Sequence, residues 1–136
     1  MTNTTGTQAQ SSRVGELIHG PSVTLHGTAT LAEAAAVLSQ NDIGAAGVLD
    51  AHGLTGIISE RDVVRALVDG VDLESERVED VMALSPTTVN EEHTIVEAAE
   101  LMLSDGIRHL PVTADGGVLV GVVSIRDVVG PLIDRL

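Results

Sequence analysis

The sequence predicts a mixed α/β (α+β) fold made of two copies of one strand–helix–strand–strand–helix unit. Three observations predict it. A nine-residue phrase occurs twice, as Gly56-Ile57-Ile58-Ser59-Glu60-Arg61-Asp62-Val63-Val64 and as Gly121-Val122-Val123-Ser124-Ile125-Arg126-Asp127-Val128-Val129. Other segments recur at a nearly constant offset: Val78 follows Val14, Thr94 follows Thr30 and Ile107 follows Ile43, each by 64 positions. Helix-spaced and strand-like apolar runs also alternate in the same order in both copies, the signature of an internal duplication.

Each element can be justified in turn. Residues 1–12 carry almost nothing to bury and read as a disordered tail, with order expected from Arg13 or Val14. The repeats are expected at 13–70 and 78–136, with 71–77 inside an acidic connector. Thr30-x-x-Glu33 and Thr94-x-x-Glu97 are capping boxes. They open helices whose core faces are Leu31, Ala34, Ala35, Leu38 and Ile95, Ala98, Ala99, Met102. Asn41-Asp42 and Asp105-Gly106 stop these helices. Strands are expected at 45–49 and 107–112, and again at 54–58 and 118–123, with a turn between each pair. One residue is inserted in the second turn, since Ser124 follows Ser59 by 65. The phrase helices follow, with Val63, Val64, Leu67, Val68 and Val128, Val129, Leu132, Ile133 as matched stripes. Gly70 ends the first, and Gly130-Pro131 is expected to kink or shorten the second, because an interior proline costs roughly 3 kcal/mol. A half of this size buries little alone, so the two are expected to pack sheet against sheet as one domain.

The phrase has two chemical readings. As a cap, the Ser hydroxyl satisfies backbone amides and the Asp sits favourably in the first turn. As a ligand site, the amides of a helix start attract an anion, the neighbouring Arg adds a phosphate donor, and the Asp accepts from ribose hydroxyls. Both copies keep an Arg that capping does not need, and both readings stay open on the residues alone.

Bulk composition narrows the function. The 136 residues include no Phe, Trp or Tyr, so a flat ring could be sandwiched only between aliphatic side chains. The formal net charge is −13, and every basic residue is Arg. Such a surface repels phosphate backbones and anionic lipid, so nucleic acid and membrane partners are not expected. Without Cys there is no disulfide, thiolate metal site or thiol nucleophile. No membrane-length apolar run or signal-peptide pattern occurs, so a cytoplasmic location is expected. Catalytic motifs are absent, the five His show no short metal-ligand spacing, and neither catalysis nor a metal is expected.

The paired phrases, the Thr-capped helices at 30–34 and 94–98 and the run Ile107-Arg108-His109-Leu110-Pro111-Val112 resemble a tandem pair of cystathionine-β-synthase-type (CBS) domains, a Bateman module. The resemblance covers residues 13 to 136. It implies two repeats about a pseudo-two-fold axis, clefts that hold adenosine ligands (AMP, ADP, ATP or S-adenosylmethionine), and homodimers formed through helices. Carried onto this chain, it makes Asp62 and Asp127 ribose acceptors, and Ser59, Ser124, Arg61 and Arg126 phosphate contacts. By the same resemblance, the residues around Thr24, Ala46, Thr88 and Leu110 line the adenine side by backbone and apolar contact. The repeats differ where Arg108-His109 replaces Gly44-Ala45, and where Pro111 replaces Gly47. Arg108 and His109 either reach a phosphate or are a solvated charge and a hydrogen-bonded interior residue. The expected function is a non-catalytic ligand sensor acting on another protein. The alternative is a constitutive dimeric scaffold whose clefts bind nothing.

Overall fold

The computed structural model describes residues 12–133, and the expectation for residues 1–11 lies outside them. The chain forms two compact units whose limits do not coincide with the repeats. One comprises residues 22–86, and the other joins residues 12–21 to residues 87–133.

The 22–86 unit holds strands β1 (Thr24–His26), β2 (Ala45–Asp50), β3 (Gly53–Ser59) and β4 (Ala83–Leu84). They form one sheet in the order β1-β2-β3-β4, with β1 parallel to β2 and the other pairs antiparallel. Its helices are α1 (Leu31–Gln40), α2 (Glu60–Val68) and the single turn α3 (Val78–Val81). Leu31, Ala34 and Leu38 recur at helical spacing and are buried against Ala46, Val48 and Ile58 of the sheet. Gly70, at φ 83°, takes the left-handed conformation just past the α2 cap.

The second unit repeats this plan with β5 (Val89–Asn90), β6 (His109–Thr113) and β7 (Leu119–Ser124), and with α4 (Ile95–Asp105) and α5 (Ile125–Ile133). Its three-stranded sheet pairs β5 parallel to β6 and β6 antiparallel to β7. A 3-10 turn at Val14–Leu17 packs here, with Val14 fully buried among Ile95, Met102, Leu110 and Val128. Ser12, assigned to the tail on sequence grounds, is placed, and its carbonyl accepts from Ile95 N at 2.9 Å.

Both capping boxes form. Thr30 Oγ1 accepts from Glu33 N at 3.1 Å, and Thr94 Oγ1 accepts from Glu97 N at 3.1 Å. Thr94 N in turn donates to Glu97 Oε1 at 2.8 Å. Backbone and side-chain hydrogen bonds from Thr94 hold the Glu97 carboxyl below the usual carboxylate range.

One expectation about the phrase helices is corrected. On α2 the core face is Val63 and Ala66, while Val64, Leu67 and Val68 are 58%, 60% and 78% exposed. Two apolar stripes run along this helix at legal spacing, and only one can face the sheet. On α5 the described helix runs from Ile125 through Gly130-Pro131 to Ile133. Pro131 lies in its final described turn, where the lost amide removes only one internal bond.

Candidate functional site

In the 22–86 unit, β3 runs directly into α2, and the phrase is the joint between them. Gly56 lies opposite Val48, Ile58 pairs with Ala46 in the buried layer, and Ser59 pairs with Ala45. Ser59 is extended (φ −119°, ψ 164°), as an N-cap must be. Its Oγ accepts from Asp62 N at 3.2 Å and donates to Asp62 Oδ2 at 2.9 Å; Ser59 N donates to the same oxygen at 2.8 Å. The capping reading of the phrase is thus physically realised. It uses one oxygen of Asp62, and Oδ1 accepts no hydrogen bond from the described residues.

The helix start is partly closed to anions. Glu60 N donates to Gly44 O at 2.9 Å and Asp62 N to Ser59 Oγ, which leaves the Arg61 amide without a partner among the described residues. Arg61 itself is exposed, and Asp62 is half-buried.

The other unit has the same joint between β7 and α5. Ser124 N donates to Asp127 Oδ2 at 2.8 Å, and Asp127 N donates to Ser124 Oγ at 3.1 Å. Ile125 N donates to Arg108 O at 2.7 Å, the counterpart of the Gly44 contact. This joint is looser, because its hydroxyl does not also donate to the carboxylate and Asp127 is exposed. His109 pairs across the sheet with Ser124, in the place that Ala45 occupies opposite Ser59. The half-buried imidazole and the exposed Arg108 therefore flank the second phrase alone. That asymmetry follows from two residues at one β-strand start.

The residues assigned to the adenine side fall differently. Ala46 and Leu110 are both 0% exposed and belong to the cores of their own units. Ala46 pairs with Ile58 and Leu110 with Val123, and all four side chains are buried. Their side chains are core residues in this structure and offer a ligand no surface. Thr24 is half-buried on β1, in register with Gly47. Thr88 is exposed and borders an open groove of about 380 Å³ along α4, beside Val89, His93, Glu97 and Leu101. No phrase residue lines that groove.

The sequence marks both phrase glycines as places for an unusual backbone angle or a close approach, but not Ile18 and Met82 as the residues that approach them. A Cβ on Gly56 would lie 2.5 Å from Met82 Sδ and 2.9 Å from Ala83 O, and one on Gly121 would lie 2.7 Å from Ile18 Cδ1. The phrase glycines are required by close approach, since their own φ is not positive. The available signal was that Ile18 and Met82 are themselves 64 positions apart.

A duplicated joint of this kind, on two α/β units, defines a class of tandem-repeat protein, and comparison with known proteins gives the family. The CBS domain family model matches residues 14–69 and 78–134, and the chain belongs to that family, with two CBS domains in tandem. It is 39% identical over 106 residues to an uncharacterized 17.7 kDa protein of Acidianus ambivalens, a match covering 77% of this chain and 63% of that one. Among solved structures it is similar to a CBS domain protein from Pyrobaculum aerophilum complexed with AMP, with TM-score 0.79 and 34% identity, covering 90% of this chain and 98% of that one. It is also similar to the CBS domain pair of the protein MJ0100 in complex with 5′-methylthioadenosine and S-adenosyl-L-methionine. There the TM-score is 0.79 and the identity 28%, over 88% of this chain and 98% of that one. The chain spans 40–63% of the length of four curated relatives. Among the described residues no helix is long and apolar enough to cross a membrane.

Proposed function

We propose that the protein is a non-catalytic regulatory module that binds an adenosine ligand, AMP or a relative such as S-adenosylmethionine, at its serine-started helices. The observation that carries this is the spare oxygen of Asp62. Oδ2 closes the cap while Oδ1 accepts no hydrogen bond from the described residues, so capping and ribose recognition use different atoms of one side chain. The likeness to an AMP-bound protein at 34% identity supports the choice of ligand. In this reading Asp62 and Asp127 accept from ribose hydroxyls. Ser59, Ser124, Arg61 and Arg126 face the phosphate, joined at the second phrase by Arg108 and His109. Because the first and third helix amides are already bonded, the phosphate is held chiefly by guanidinium groups and one amide. Thr24 and Thr88 remain available to the base, and the side chains of Ala46 and Leu110 do not contribute.

Thermal melting with AMP, ATP or S-adenosylmethionine tests this. A ligand at about 100 times its dissociation constant adds roughly 2.7 kcal/mol to the stability of the folded state. A rise in Tm with at least one of them is expected; no rise at millimolar concentrations of any would remove the ligand reading and leave the scaffold.

A homodimer belongs to both readings. The exposed stripe Val64, Leu67 and Val68 on α2 is an apolar face that nothing in its own unit covers. Sedimentation is expected to show a dimer for the native chain and a monomer for Leu67→Glu, which puts a charge in the centre of the stripe. A native monomer would refute it.

A further inference from the structure

The first residues of each repeat pack in the unit that holds the other repeat's phrase. Val14 N donates to His93 O at 2.7 Å, Gly15 N to Glu91 O at 3.0 Å, and Ile95 N to Ser12 O at 2.9 Å. The matching bonds, 64 positions on, are Val78 N to Ala29 O at 2.8 Å, Glu79 N to Gly27 O at 2.9 Å and Leu31 N to Glu76 O at 2.9 Å. Isolated bridges join Arg13 to Thr94 and Thr30 to Arg77, and Arg77 Nη1 donates to Thr28 O at 2.6 Å. Each segment ends with an apolar side chain on a phrase glycine: Ile18 on Gly121, and Met82 on Gly56. Three residues beyond each glycine stands the capping serine, at the end of the same strand.

We infer that these two segments are control arms, and that they act crosswise: residues 12–18 set the position of the Ser124–Asp127 joint, and residues 76–82 that of the Ser59–Asp62 joint. The contact is steric and close, so the arm and the strand beneath it cannot shift independently. An arm that lifts frees the glycine end of the strand and loosens the cap it carries. The inference deepens the proposed function, resting on it only for what occupies the joint. If AMP binds there, occupancy and arm docking are two faces of one equilibrium, and each must favour the other by the same factor. Whatever precedes Ser12, or binds the acidic connector, would then tune one joint and spare the other.

Amide hydrogen exchange on the full chain tests the crossing without any ligand. Ile18→Ala is expected to speed exchange across residues 119–128 about tenfold and leave 53–63 unchanged. Met82→Ala is expected to do the reverse. If Ile18→Ala unfolds the chain, Ile18→Val makes the same test with an effect of about threefold. An effect on residues 53–63, or one spread evenly over both regions, would overturn the arms. AMP is then added to the native chain. Slower exchange at Val14 and Gly15, or at Val78 and Glu79, together with the joint they serve, supports coupling. Protection of a joint with no change in its arm overturns the arms and keeps the ligand. A crossed pattern with no AMP effect keeps the arms and removes the ligand.

Discussion

Asp62→Ala and Asp127→Ala are each expected to weaken AMP at their own joint by about 1.5–3 kcal/mol, the range for hydrogen bonds to a charged group. Isothermal calorimetry well below the melting temperature measures this. The substitutions also remove a cap, so stability falls too, and the two losses come from different oxygens. Among the described residues, Asp62 Oδ2 accepts from both the amide and the hydroxyl of Ser59, while Asp127 Oδ2 accepts from the amide of Ser124 alone. The fall in stability should therefore be larger for Asp62→Ala. Unchanged affinity alongside a lowered Tm would mean that both acids are caps and nothing more.

Leu110→Ala is expected to be the most damaging single change at the second phrase, through packing and not through ligand contact. Leu110 is fully buried, pairs with Val123 across the sheet, and packs with Ile95, Met102 and Val128. Truncating such a residue costs about 2–5 kcal/mol. That corresponds to a fall in Tm of about 7–17 °C in a chain of this size. Arg108→Ala, two residues earlier and exposed, should stay within about 0.5 kcal/mol of the parent. Thermal or urea unfolding decides both, and a near-neutral Leu110→Ala would contradict its placement in the core.

Much of this architecture could be read from local chemistry. Thr30-x-x-Glu33 and Thr94-x-x-Glu97 state where two helices begin, and both boxes close as expected. The phrase showed its serines as helix starts, because a cap is a contact over three residues and leaves its mark in sequence. What could not be read depends on tertiary choice. Val63 and Val64 each begin an apolar stripe on α2, and only packing against the sheet selects Val63 and Ala66. The burial of the Ala46 and Leu110 side chains is likewise a tertiary outcome, and it leaves their backbone as what they could offer a base. The placement of Ile18 beneath Gly121 lies farther still from sequence reach, since a repeat boundary says nothing about where its opening residues dock.

That docking bears on how such a chain could have arisen. A gene encoding one half-length copy would produce a molecule whose opening residues have no seat on itself if the crosswise rule held. Two such molecules could satisfy each other by trading those residues, and would be interlocked rather than merely adjacent. Fusing the two genes would then convert a concentration-dependent embrace into an intramolecular one, preserving every contact and removing the entropic penalty of meeting.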